Sequence, residues 1–308
     1  MAGDGHELRA IVRPTSRVER LHELGVATFV GDVTDRASMR EAMSGADVVI
    51  HAAADLDLSG PRARMEAVNV GGSENVASLA FKLGVPRLLA ISSVAARGGS
   101  PDDGSPADES TPPRLPLPTL YSETKHRGER AIRAWAERGL AVATLLPSLV
   151  YGPPGKKEGA NALLRQLWLG RFPFLIGGDR RTSWLFLDDA VDGIARALER
   201  FAAGRELLLA GEIATVGEVA RAVAELGGAP PPRRRLSVAA ARRLLRLATP
   251  LYRLRGRRPP IPIAQLASLE RHWAFDDARA RRELDWRPRD FGAGLATTVR
   301  DLFAAAGA

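Results

Sequence analysis

Over the first half of the chain, short uninterrupted apolar runs alternate with segments whose apolar residues recur at helical spacing. Leu8–Val12 reads as a strand ending at Arg13-Pro14-Thr15-Ser16-Arg17, followed by a short helix over Val18–Leu24. Ala27–Val30 is a second strand, ending at Gly31–Asp35, and a helix is predicted over Ala37–Met43. Asp47–His51 is an apolar strand closed by Ala52-Ala53-Ala54, and a long helix is predicted from Met65 to Leu83. Arg87–Ile91 ends at Ser92-Ser93, a helix opening near Tyr121 runs to about Arg138, and Ala141–Leu146 ends at Pro147. Strands that are continuously apolar and alternate with helices predict a parallel sheet covered on both faces. Ligands of such sheets bind beyond the carboxyl ends of the strands. Arg13, Asp32, Ala52, Ser93 and Pro147 all fall at such ends.

The second half has another texture. Residues 153–183 are rich in Gly, Pro and Arg; Trp184–Asp189 leads into a helix through Leu198, and Glu206–Ala210 reads as one more strand. Residues 213–308 are mainly helical in pattern, broken at Pro230-Pro231-Pro232 and at Arg257-Arg258-Pro259-Pro260. No internal repeat is visible.

Composition narrows the class. The chain has 308 residues, 45% hydrophobic and 26% charged, which suits one large or two ordinary globular domains. No apolar run approaches the roughly 18 residues of a membrane span, and the N-terminus lacks a signal-peptide pattern, so a cytoplasmic protein is expected. There is no cysteine, and the five histidines show no metal-ligand spacing; no metal is expected. His51 and His126 read as structural. The formal net charge is +8, carried mostly by arginine, and the basic residues are not interleaved with aromatics, which argues against a nucleic-acid partner. The basic segment 233–258 has leucines at helical spacing (Leu244, Leu245, Leu247, Leu251); it reads as a helix packed on the core with a solvated arginine face, the rival reading being peripheral contact with an anionic membrane or a lipid substrate.

The chemistry centres on Tyr121 and Lys125. Four residues apart on a helix, they share a face. A tyrosine titrates near ~10, and a fixed cation beside it favours the phenolate, which makes a usable general acid/base.

The motifs GDVTD (31–35), VVIHAAA (48–54), VNVGGSENV (68–76), ISSVAARG (91–98), YSETK (121–125), LLPSLVYGPP (145–154), WLFLDDAVDGIARAL (184–198) and FDDARARRELDWRPR (275–289) resemble, in order and spacing, the extended short-chain dehydrogenase/reductase family. The resemblance covers nearly the whole chain. It is greatest to the branch holding NAD(P)-dependent epimerases/dehydratases, dihydroflavonol reductases and 3β-hydroxysteroid dehydrogenases. It implies an α/β, Rossmann-like, doubly wound parallel sheet over 1–152 and 184–212, with a smaller, mainly helical substrate domain from 153–183 and 213–308. It also implies roles: Tyr121 as general acid/base; Lys125 on the nicotinamide ribose, lowering the tyrosine pKa; and Ser93 on the reacting oxygen. Asp32 and Val33 would contact adenine, Ala52, Ala53 and Ala54 would line the dinucleotide channel, and Pro147 and Val150 would sit near the nicotinamide.

One family feature is missing from this sequence. The glycine-rich turn T-G-x-x-G-x-x-G, which brings a helix N-terminus to the pyrophosphate, is not present; Met1–His6 resembles the loop before the family's second strand. The first strand and helix of the pattern, about thirty residues, are therefore expected to be absent from the middle of the sheet, with an in-frame upstream extension as the explanation. A basic residue at the end of the family's second strand accommodates a 2′-phosphate, so Arg13, seconded by Arg17, favours NADP over NAD. Where nucleotide-sugar enzymes carry asparagine and arginine, this chain has Leu149 and Thr182, with Arg181 adjacent. The expectation is an NAD(P)-dependent oxidoreductase acting on a carbonyl or hydroxyl of a small, fairly apolar substrate. A sugar epimerase/dehydratase and a non-catalytic protein with a degraded dinucleotide site stand as alternatives, and the oligomeric state is left between monomer and homodimer.

Overall fold

The computed structural model describes residues 5–154, 159–172, 174–254, 256 and 263–304. Contacts divide the chain into two units: 1–92, 120–145 and 197–206 in one; 93–119, 146–196 and 207–308 in the other.

In the first unit the β-branched and leucine-rich runs form strands as expected. β1 (Arg9–Val12) is followed by α1 (Glu19–Glu23), β2 (Ala27–Val30), α2 (Arg40–Met43) and β3 (Val49–His51). Next come α3 (Arg62–Glu66), a π-helical turn (Ala67–Gly71), α4 (Gly72–Lys82), β4 (Leu88–Ile91), α5 (Leu120–Ala136) and β5 (Val142–Pro147). β3, β4 and β5 are parallel neighbours, with Ile50 opposite Leu89 and Ala90 opposite Thr144. β1 pairs only with β2, in parallel, as a separate two-stranded sheet. Among the described residues no ladder joins β1 to β3. Met39, Met43, Val76, Leu79, Leu88, Ile132 and Val142 form the core beneath, with Ile11 and Val49 packed on it.

Two expectations change here. The helix predicted over 37–43 shrinks to four residues. Asp35 accepts the Ala37 N–H at 3.0 Å, and the Ser38 hydroxyl bonds Asp35 O at 2.7 Å, so local side-chain bonds hold this stretch as turns. The long helix begins earlier than predicted, at Arg62, and is interrupted by the π-turn that carries Asn69.

The second unit contains β6 (Leu149–Tyr151), α6 (Gly159–Trp168), β7 (Leu175–Ile176), β8 (Arg181–Phe186) and α7 (Leu187–Glu199). They are followed by β9 (Glu206–Leu209), β10 (Glu212–Thr215), α8 (Val216–Glu225), β11 (Arg235–Leu236), α9 (Val238–Leu254), α10 (Ala278–Leu284) and α11 (Phe291–Thr298). β8 lies between β6, parallel to it, and β10, antiparallel. β6 and β10 are short strands that the apolar pattern does not reveal. Tyr151, Trp184, Phe186 and Phe291 stack edge-on and tilted at the centre of this unit's core. Among the described residues of 213–308 helices predominate, beside the short β10 and β11; α8 starts with a capping box in which Thr215 and Glu218 satisfy each other's backbone N–H. No helix among the described residues is long and apolar enough to cross a membrane.

Candidate active site

Tyr121 and Lys125 occupy successive turns at the start of α5. Lys125 is buried, and its ammonium donates to the carbonyl oxygen of Ile91, at the end of β4, at 3.0 Å. Burial depresses its pKa below the ordinary lysine range, while the carboxylate of Glu129, one turn further along α5, acts against that shift. Glu129 in turn accepts a short hydrogen bond from the Ser92 hydroxyl. The sheet end is thus stitched to two turns of the helix that carries the tyrosine.

Behind this pair lies a chain of buried polar groups that the sequence reading left without a role. The Asn69 side chain accepts from the Asp55 N–H at 2.7 Å and donates to Asp55 O and to the Thr124 hydroxyl, both at 3.0 Å. Ser73 donates its only hydroxyl proton to Asn69 O at 2.8 Å. The contact of His51 Nε2 with Ser73 Oγ, at 3.1 Å, therefore places a proton on Nε2. Burial, and secondarily the charge of Lys125, push the His51 pKa down to about 4, so the ring is neutral at neutral pH. The structural reading of His51 agrees with this geometry. α5 approaches the π-turn so closely that only Gly128 fits: a Cβ there would lie 2.4 Å from Asn69 O.

The strand ends β1 and β2 hold the residues expected at the adenosine. Arg13 donates its N–H to Ser16 Oγ at 3.1 Å and accepts the Ser16 N–H at 2.8 Å, a tight turn that leaves the Arg13 and Arg17 side chains exposed. Asp32 accepts from the Thr34 N–H at 2.9 Å and its hydroxyl at 2.8 Å. The Thr34 bonds, aided by the charges of Arg13 and Arg64, hold its carboxyl below the usual range. Val33 O accepts from Asn75 Nδ2 at 2.9 Å, and the Val33 side chain packs on α4 where a Cβ at Gly72 would lie 2.7 Å from Val33 Cγ2. Asn75 and Gly72, both inside VNVGGSENV, help to hold the GDVTD loop against α4. Ala52 and Ala53 leave β3 exposed, with Ala54 half-buried. An exposed guanidinium at the tip of β1 and a fixed carboxylate at the tip of β2 suit the adenosine end of a dinucleotide. Among the described residues there is no glycine-rich turn to cradle a pyrophosphate.

Ser93, Pro147 and Val150 belong to the second unit. Ser93 has extended backbone and caps the 3-10 turn Val94–Arg97, its Oγ accepting the Ala95 N–H at 3.2 Å, an arrangement that leaves the O–H able to donate. Gly98 closes that turn at φ 74°, where a Cβ would meet Arg114 O at 2.4 Å. Pro147 is buried at the end of β5, and Val150 sits in β6 opposite Leu185. Arg181 donates its side chain to Gly104 O at 2.9 Å and its N–H to His272 Nδ1 at 3.1 Å. Arg271 clamps the carbonyl oxygens of Gly98, Arg114 and Pro116 at 2.6, 3.0 and 2.6 Å. No group of three His, Asp or Glu among the described residues could hold a metal.

The chain is similar to known proteins along nearly its whole length. The sterol demethylase protein B of Methylococcus capsulatus is 29% identical over 96% of this chain and 90% of its own length. The 2-alkyl-3-oxoalkanoate reductase of Stenotrophomonas maltophilia is 28% identical over 92% of this chain and 88% of its own. The crystal structure of gox2253 superposes with a TM-score of 0.82 at 30% identity, covering 96% of this chain and 90% of that one. Residues 1–217 match the NAD dependent epimerase/dehydratase family, and the chain belongs to that family.

Proposed function

We propose that this protein is an NADP-preferring oxidoreductase of the extended short-chain dehydrogenase type, acting in the cytoplasm, as a monomer or homodimer, on a carbonyl or hydroxyl of a small apolar substrate. The bound cofactor supplies or accepts the hydride. In the reductive direction Tyr121 gives its phenolic proton to the substrate oxygen while the Ser93 hydroxyl holds that oxygen against its developing charge. Lys125 favours the phenolate electrostatically and is held by its hydrogen bond to Ile91 O. Asn69 and Ser73 hold α5 and the π-turn in register, and Arg13 would hold a 2′-phosphate while Asp32 and Val33 would contact the adenine. Ala52 to Ala54 would line the dinucleotide channel, and Pro147 and Val150 would lie near the nicotinamide.

The carrying observation is the buried Lys125, hydrogen-bonded to a strand-end carbonyl and placed one turn from Tyr121. A surface helix has no use for a buried ammonium. For the substrate, Arg181 and Arg271 are engaged on backbone carbonyls, which supports an apolar ketone or alcohol over a nucleotide diphosphate. The relative named 2-alkyl-3-oxoalkanoate reductase reduces, by its name, a ketone on an alkyl chain.

The test is Tyr121→Phe, assayed with NADPH against a panel of long-chain 3-oxo acids and steroid ketones, with UDP-sugars as the contrast. Turnover should fall at least ~100-fold, with the circular dichroism unchanged. Near-normal turnover of the variant would remove Tyr121 from the reaction. Conversion of UDP-sugars alone would replace this reading with the epimerase.

A further inference from the structure

We infer that α9 is a membrane-docking helix and that its partner is the surface of an anionic phospholipid bilayer. The helix runs for 17 residues, Val238–Leu254, and one side of it serves the fold: Ala241 is fully buried and Leu245, Ala248 and Tyr252 are half-buried. Its other side is unusual. Leu247 and Leu254, at 79% and 85% exposure, are the two most exposed large apolar side chains among the described residues, and Leu244 is 52% exposed. At 100° per residue Leu244 and Leu247 fall within about 60° of each other as an outward ridge, and Leu254, beyond Pro250, is exposed as well. A helix that only covered a core would carry polar residues there.

Charge names the partner. Arg243 and Arg246 are exposed beside the leucine ridge, and Arg242 pairs with Glu270 beneath it. The segment 233–258 holds ten of the chain's 44 basic residues and none of its 36 acidic ones, which leaves 34 against 36 elsewhere. The whole positive excess of the protein therefore lies in this one stretch; Arg255, Arg257 and Arg258 fall outside the described residues. Exposed leucines flanked by arginines match the two halves of a bilayer interface, acyl chains below and anionic headgroups above. A second copy of the chain would present the same arginines and repel at contact. A nucleic acid would leave the leucines unburied.

The experiment uses the full chain and sedimentation with vesicles of phosphatidylglycerol and phosphatidylcholine (1:2) or of phosphatidylcholine alone. Binding is expected only to the anionic vesicles and should weaken in high salt. Arg243→Glu/Arg246→Glu should lower the partition coefficient at least ~30-fold, since each surface arginine contributes about fivefold before any repulsion. Leu244→Ser/Leu247→Ser/Leu254→Ser should abolish sedimentation at low salt as well, without lowering the unfolding midpoint, because all three side chains are exposed. Tyr121→Phe should bind like the wild type, which separates this result from the catalytic reading. Equal binding to neutral vesicles, full binding by the serine variant, or no binding at all would overturn the inference. So would a wild-type dimer in light scattering that the serine variant dissolves, since the ridge would then be an interface between copies.

Discussion

Gly128 offers a test in which structure and helix propensity predict opposite signs. In an exposed helix interior, Gly→Ala stabilises by up to ~1 kcal/mol. At Gly128 the added Cβ would lie 2.4 Å from the backbone oxygen of Asn69 and 3.0 Å from Ser73 Oγ. Contacts under 3.0 Å are essentially never found, so α5 or the π-turn must move by at least about 0.6 Å, and the obstacle is backbone rather than a side chain that can swing away. Overpacking of this kind costs ~1–3 kcal/mol, and with a rigid obstacle the upper end applies; after the propensity gain, a net loss of about 2 kcal/mol remains. The same shift carries Lys125 relative to Ile91 O and Tyr121 with it. Turnover should fall about tenfold or more, since a 1 Å misplacement costs ~100-fold. Gly71→Ala is the control: its backbone is helical, at φ −62°, and nothing lies within 4 Å of the new methyl. That variant should be as stable as the wild type or up to ~1 kcal/mol more so, with unchanged turnover. Urea unfolding at constant m value and a steady-state assay read both quantities. If Gly128→Ala is stabilised, the close approach of α5 to the π-turn is wrong, and so is the account of how Lys125 is placed.

Two other outcomes follow from the site. Arg13→Asp should reverse the preference between NADPH and NADH by adding repulsion against the 2′-phosphate; unchanged discrimination in binding titrations would shift the determinant to Arg17. His51, with its folded pKa near 4 and an unfolded value of 6.5, makes the unfolded chain the better proton binder below 6.5, so its contribution is intact above that pH and is lost as pH falls toward 4. Between pH 6.5 and 5 this one group should remove about 2 kcal/mol of stability, and His51→Asn should flatten the pH dependence of the urea midpoint; an equal slope in both proteins would mean that the ring is not held neutral.

What the sequence by itself determined is what short-range physics determines. Continuous apolar runs such as Leu88–Ile91, alternating with helical patterns, read as strands buried on both faces, and the loops after them then fall on one edge of a parallel sheet. The four-residue step from Tyr121 to Lys125 is local helical geometry and holds without the rest of the fold. The charge of 233–258 and its leucine spacing were also legible, but not which side of α9 faces outward. That needed the packing of Ala241, which leaves Leu247 and Leu254 in solvent. Tertiary structure alone decided the partners of Lys125. Ile91 is 34 positions away, and Ser73, Asn69 and Thr124 meet only because α4, the π-turn and α5 pack together. The short strands β6 and β10 depend on tertiary structure too: β6 follows β5 with no turn signal of its own, Glu212–Thr215 has no apolar run, and both are strands through the ladder with β8. Asn69 stood in view within VNVGGSENV, yet a polar residue on a helix gives no sign of what it will bond until the opposing backbone arrives, and its carbonyl and side chain are what fix the distance to Gly128.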